Sequence, residues 1–404
     1  MSVFKDHKIS LNELLKFIPE DTLSHLSATT KVDYYSKVLH GRKMFYLLLF
    51  CIYDNDRLSQ RSMQDTFNSS GFKTFFDLQE DEKITRSSIS ERLSKIDSEF
   101  FKKIYEEMYS MLSKSLSYNE IEKNNLIRVD STSVSEATSK LNEGIQKKGK
   151  KMVKFSFSFD GQLPSGVDVL TSQQYNSEDI ALPEAILKHV EKNKDHKNIY
   201  VIDRGLQSAR SMREFDNQGL RFILRCKANR KFEKLEDLLS DDVIKEWDGW
   251  RVIKDDKVNI YTGIPTLSKN GNNYHKEELV ETELRLVVIK NARENKEFWF
   301  LTNDFELSPK EVADYYKSRW DIEVFFRFLK QELNLSHLVS LNKNGIEVMV
   351  YMTMIAAMLL LIYKKENNIG YKTAKRRINM ELREMITAIL ITFAGGDPRK
   401  VFKT

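Results

Sequence analysis

Residues 308–335, SPKEVADYYKSRWDIEVFFRFLKQELNL, read as one long helix that carries charges where an apolar helix should have none. Ser308, Pro309 and Glu311 make a helix start: a capping serine, a proline in the first turn and an acid at the capping-box position. The pattern predicts a helix over 309–333. At roughly 100° per residue, with Tyr316 at 0°, Arg319 falls near 300°, Glu323 near 340° and Lys330 near 320°. These four span about 60° of arc and about 21 Å of helix. Ile322, Phe325, Phe326, Leu329 and Leu333 take the adjoining arc. One flank is therefore a core stripe and the next a ridge of Tyr, Arg, Glu and Lys. The ridge has two readings: an amphipathic surface with i,i+4 pairs such as Arg319 with Glu323, or an edge that meets metal ions and a polyanion.

The rest of the chain narrows the choice. Its 404 residues suffice for two or three domains, or one core with a large insertion. With 41% hydrophobic and 30% charged residues it is globular rather than disordered. The net charge of +5 permits a polyanionic partner without demanding one. Cys51 and Cys226 support neither a disulfide framework nor a zinc knuckle, and a reducing cytoplasm is expected. The opening MSVFKDHKISLNELLKF lacks the apolar segment of a signal peptide. The most membrane-like run, VMVYMTMIAAMLLLIY at 348–363, falls short of the roughly 20 residues of a typical span. It is expected to be a buried core helix, with no membrane involved.

Residues 1–120 predict a helical domain, with apolar residues recurring at three and four in LNELLKFI and MFYLLLFCIY. Within it, ITRSSISERLSKI (84–96) predicts a short helix capped by Ser87 that shows Arg86, Arg92 and Lys95. It is either a DNA-recognition helix or an ordinary surface helix. From 126 the texture changes. NLIRVDST, KMVKFSFSFD, VDVLTSQQY, NIYVIDRG and LRFILRC predict strands, with helices near 180–193 and at SARSMREF. The order is strand, strand, strand, helix, strand, helix, strand. Residues 228–296, with Trp247, Trp250, the turn signal KNGNN and the run LRLVVIK, predict a mostly β insertion. Helices over about 346–390 close the domain, and 391–404 form a tail.

Asp130 and Asp203 each end or interrupt an apolar strand. A carboxylate there costs several kcal/mol unless it is paired or metal-bound. If the two strands are neighbours, both acids meet at one rim and Glu323 can supply a third. Three oxygen donors suit Mg²⁺ or Mn²⁺. Two such ions support in-line phosphoryl transfer. No Walker loop, dinucleotide glycine pattern or nucleophile elbow competes with this set. Taken singly, each Asp reads more readily as a turn or capping residue.

The spacing Tyr316, two residues, Arg319, three residues, Glu323, six residues, Lys330 resembles the Y-(2)-R-(3)-E-(6)-K signature. That signature belongs to bacterial insertion-sequence transposases of the DDE class, the group named after insertion sequence four. RVDST around Asp130, VIDRG around Asp203 and FLTND before the long helix add to the likeness, which covers roughly 126–345. The resemblance implies an α/β fold: a ribonuclease H-like catalytic core (121–227 and 297–390) with a β-rich insertion, a helical N-terminal domain that binds DNA ends, and closing C-terminal helices. It implies that Asp130, Asp203 and Glu323 are catalytic and hold two Mg²⁺ or Mn²⁺ ions. It implies that Tyr316, Arg319 and Lys330 bind the phosphates of the transposon end. It implies further that the partner is double-stranded DNA, that the active form is a homodimer, and that the protein works in the bacterial cytoplasm. The rivals are a related nuclease that cuts without transposing and an inactive relative that only binds DNA. In some members a tryptophan of the last insertion strand stacks on a flipped base. Here that strand reads Phe298-Trp299-Phe300, and strand alternation leaves both faces open. The basic run QKKGKKMVK (146–154) is either a DNA contact or a solvated loop.

Overall fold

A computed structural model describes residues 8–402 except 19, 35, 55–56, 116–124, 138–139, 194–196, 240–244 and 268–272. The N-terminal region holds α1 (Leu11–Leu15), α2 (Glu20–Thr30), α3 (Gly41–Asp54), α4 (Gln60–Asn68), α5 (Ser70–Phe75), α6 (Arg86–Lys95) and α7 (Ser98–Ser115). The strands begin with β1 (Asn125–Ala137), β2 (Ile145–Lys147), β3 (Lys150–Phe159) and β4 (Pro164–Leu170). Then come α8 (Glu178–Lys192), β5 (Asn198–Ile202), α9 (Ala209–Asn217) and β6 (Arg221–Arg225). Residues 228–296 contain β7 (Phe232–Asp237), β8 (Glu246–Trp247), β9 (Trp250–Leu267) and β10 (Asn273–Asn291). The chain continues through β11 (Lys296–Thr302), α10 (Pro309–Lys317), α11 (Trp320–Glu332), α12 (Lys343–Glu366), α13 (Tyr371–Phe393) and α14 (Pro398–Val401).

β1, β3 and β4 form an antiparallel meander, and β5 and β6 add in parallel on the other side of β1. The order β4-β3-β1-β5-β6, with α8 and α9 as crossovers, is the ribonuclease H-like core that the resemblance implies. The sheet continues through β11, β10, β9 and β7. Both faces are covered, as parallel strands require. Leu182, Ile186, Met212 and Phe215 of α8 and α9 pack on one face. Val312 and Tyr316 of α10 pack on the other. So does α11, whose Phe325 stacks on Phe159 of β3 at 4.7 Å.

The apolar run at 348–363 lies inside α12, which alone among the described helices has the length and composition to cross a membrane. Its side chains are instead buried in one core with α1–α7 and α11. Tyr53 of α3 donates to the Ala356 carbonyl at 2.7 Å, and Tyr363 donates to the buried Glu381 at 2.7 Å. The tail carries the short α14, capped by Asp397.

Four local readings need correction. First, β1 does not stop after Thr132. Its polar half pairs with β3, from Ser133 opposite Lys154 to Ala137 opposite Lys150, so cross-strand bonding carries the strand past its apolar part. Second, the helix expected over 309–333 breaks at Ser318–Arg319. Ser318 Oγ donates back to the Tyr315 carbonyl, and Arg128 Nε donates to the Ser318 carbonyl. The amides of Arg319 and Ile322 bond three residues back, a tightened turn. Third, Thr85 rather than Ser87 caps α6, and Arg92 points inward to the Val32 and Leu39 carbonyls. Fourth, the run 146–154 is a hairpin. Lys148 and Gly149, both at positive φ, turn β2 into β3. Its Lys151 and Lys154 are bonded internally, to Leu141 and Glu178. The KNGNN turn signal falls largely outside the described residues.

Candidate active site

β1 and β5 run parallel in a register that pairs Val129 with Ile202. One step further sets Asp130 beside Asp203, on the same face, because parallel neighbours in register point the same way. Asp203 follows the last residue of β5, at the carboxyl end of a parallel strand, where open α/β sheets form their sites. The tightened turn brings α11 over this rim with Glu323 in its first turn.

Arg319 joins the three acids. Its Nη1 is 3.5 Å from Asp130 Oδ2 and its Nε 3.8 Å from Asp203 Oδ1. Its Nη2 donates to Glu323 Oε1. The Arg319 side chain is only 12% exposed, and among the described residues its buried Nε has no hydrogen-bond partner. Burial pulls its pKa down, but the Glu323 hydrogen bond and the neighbouring charges outweigh this and hold it above its ordinary value. Burial pushes Asp130 up to about 6. The Ser131 amide, donating at 2.7 Å, resists this, and the Asp203 charge adds to it. Tyr316 donates to Asp203 Oδ1 at 3.3 Å, and burial raises its hydroxyl to about 12.

The four signature residues are not used alike. In the tightened turn each residue advances by about 120° rather than about 100°. Arg319 nevertheless stays with Tyr316 and its i,i+4 partner Glu323, and faces the carboxylates. Glu323 and Lys330, both in α11, remain on one face about 10 Å apart. Lys330 is half-buried and has no acidic partner among the described residues. Trp299 stacks on Phe232 with Lys254 above it, whereas Phe298 lies on the opposite face between Trp250 and Arg225.

Two residues escaped the sequence reading. Arg128, two positions before Asp130 and buried, bonds the carbonyls of Leu126, Asp160 and Ser318 and the carboxylate of Asp321 at 3.2 Å. It ties β1 to the helix break. Gly161, at φ +97°, leaves it room: a Cβ there would lie 2.7 Å from Arg128 Nη1. Glu178 starts α8, bonds Lys154 at 2.8 Å, and its charge adds to the rise in Asp130. An arginine inside an apolar strand was a visible signal for the first. Nothing local marked the second.

The family model described as a transposase DDE domain matches residues 122–359, more than half of the chain. The chain belongs to the DDE transposase family. The transposase is 27% identical over 357 residues to the putative transposase for insertion sequence element IS4SA of Synechocystis sp., covering 85% of this chain and 88% of that one. Over 90 residues it is 34% identical to the probable transposase for insertion sequence element IS5377 of Geobacillus stearothermophilus, covering 21% and 24%. It is also similar to a solved piggyBac transposase synaptic complex with hairpin DNA, at 10% identity and a TM-score of 0.47, over 97% of this chain and 81% of that one. Family membership makes it a DNA transposase, an enzyme that cuts and joins DNA and depends on a divalent metal ion.

The donors at the rim fit such an ion. Three carboxylates already face one cation, the Arg319 guanidinium, and hard oxygen donors of this kind suit Mg²⁺ or Mn²⁺. As arranged around the guanidinium, they are not among any three His, Cys, Asp or Glu side chains of the described residues that are close enough to share an ion.

Proposed function

We propose that Asp130, Asp203 and Glu323 form the cutting and joining centre of this transposase and hold two Mg²⁺ or Mn²⁺ ions. It binds the terminal inverted repeats of its element, nicks their 3′ ends by hydrolysis and joins them to target DNA. The observation that carries this reading is the convergence of three carboxylates, from β1, β5 and α11, on one buried positive charge. At such a cluster the bound ions supply activation of a water or 3′-hydroxyl oxygen and stabilisation of the leaving oxygen.

The chain's own groups do the rest. Asp130, held at about 6, is ionised at neutral pH and ready as a ligand. Tyr316 orients Asp203 through its hydroxyl. Arg319 neutralises the cluster before ions bind, and on their arrival is free to meet a backbone phosphate. Lys330, on the Glu323 face of α11, neutralises a second phosphate. Residues 1–120 act as the end-binding part, 228–296 as an insertion in the catalytic core, and 297–390 complete that core. The active species is a homodimer on double-stranded DNA, because two ends are joined in concert, and it works in the bacterial cytoplasm.

The test is cleavage of a plasmid carrying the gene with its native flanks, in Mg²⁺, Mn²⁺ or chelator, by wild type and Asp130→Ala. Metal-dependent cuts at defined ends, lost in the variant, are expected. Cuts that persist in Asp130→Ala would remove that residue from the centre.

A further inference from the structure

A groove of about 1040 Å³ opens between the helical N-terminal region and the far end of the catalytic sheet. Its walls are the starts of α4 and α6, the end of β1 and the loop joining α11 to α12. Four cationic side chains line it, Arg57, Arg61, Arg86 and Lys140, against two acids, Glu91 and Glu136. Both acids are already engaged. Glu91 pairs with Lys95 at 2.6 Å, and Glu136 with Lys140 at 3.7 Å. Arg57, Arg61 and Arg86 are exposed and, among the described residues, have no carboxylate partner. The cleft thus holds uncompensated positive charge, which concentrates polyanions. Ser87, Ser90 and Asn342 add hydroxyl and amide donors of the kind that bond phosphate oxygens.

The groove is in line with the cutting centre. β1 passes from Asp130 to Glu136 on the groove wall, about 20 Å at roughly 3.3 Å per residue. α11 runs from Glu323 past Lys330 to its end at Glu332, about 14 Å, and the loop carrying His337 into the groove follows. Charges therefore follow one another from the carboxylates through Lys330 to the three arginines.

We infer that this groove holds the sugar–phosphate backbone of the duplex transposon end, roughly six base pairs from the scissile phosphate at about 3.4 Å per base pair. The inference rests on the reading of Asp130, Asp203 and Glu323 as the cutting centre. It also reassigns the DNA contact within the α6 segment. Arg92 is committed to the Val32 and Leu39 carbonyls and Lys95 to Glu91, so Arg86 does this work, together with Arg57 and Arg61.

The test uses the full chain without metal and a short random-sequence duplex, with binding followed by fluorescence anisotropy as salt is raised. The triple variant Arg57→Gln/Arg61→Gln/Arg86→Gln should flatten the log Kd against log salt slope by nearly three, at about 0.9 for each phosphate no longer neutralised. Its melting temperature should match the wild type, since all three side chains are exposed. A wild-type slope in the folded variant overturns the inference. An iron chelate tethered to Ser90→Cys gives a second reading, because both native cysteines are buried. On an end duplex its cuts should cluster roughly six base pairs from the scissile junction. Bound DNA without such cuts also overturns the inference. Failure of the cutting-centre reading appears separately, as wild-type cuts that survive Asp130→Ala, and the salt slope does not depend on that result.

Discussion

Asp130→Asn should stabilise the metal-free transposase at neutral pH while abolishing its chemistry. Burial raises the Asp130 carboxyl from an ordinary 3.8 to about 6, and its side chain is only 22% exposed. For an acid raised by folding the sign is a cost. The cost is absent below the unfolded pKa, grows as pH rises from about 4 to about 6, and is complete above that. The gap of about 2 units corresponds to about 3 kcal/mol at pH 8. The asparagine keeps the shape and an acceptor for the Ser131 amide but never ionises, so it escapes that cost. Spread over the unfolding entropy of a chain this long, the gain is a rise of about 3–4 °C in Tm. The assay is thermal unfolding of wild type and variant in chelator across pH 4 to pH 8. The Tm difference should be near zero at pH 4 and largest at pH 8. Addition of Mn²⁺ should raise the wild-type Tm but not the variant's. An equal or lower Tm for Asp130→Asn at pH 8, or a difference that does not change with pH, would refute the argument that burial strains this carboxylate.

Other variants probe different links. Glu323→Gln should lose cleavage while binding end DNA within about twofold of wild type in a mobility-shift assay, since the proposed centre uses Glu323 as a ligand and not as a phosphate contact; retained cleavage would take Glu323 out of the centre. Lys330→Ala should weaken binding to all duplex sequences and flatten the salt slope by about one, and an unchanged slope would place Lys330 away from phosphate. Arg128→Ala should cost about 3 kcal/mol in urea unfolding, because the buried Leu126 carbonyl and the partly buried Asp160 and Ser318 carbonyls lose a charged donor; a loss below about 1 kcal/mol would show that water replaces it.

Wherever neighbours in sequence determine the outcome, the chain was legible as text. The capping box of Ser308 and Glu311 forms as expected, and the strands around Asp130 and Asp203 are where their apolar runs put them. The spacing from Tyr316 to Lys330 pointed to the family, because a helical period turns separation into shared direction. Tertiary structure decided what depends on partners distant in the chain. A straight-helix angle could not foresee the break at Ser318, since the donor that draws on its carbonyl, Arg128, comes from β1. Only packing shows that Arg319, at this break, is the charge between three carboxylates. Arg92 looked exposed by period, but packing offered it two backbone carbonyls. The register of β1 with β5, which sets the two aspartates side by side, is a long-range pairing that neither strand encodes alone. Residue type and local period are written along the chain. The cancellation of charges, and therefore which arginines are left without a carboxylate partner among the described residues, exists only once distant segments are packed together.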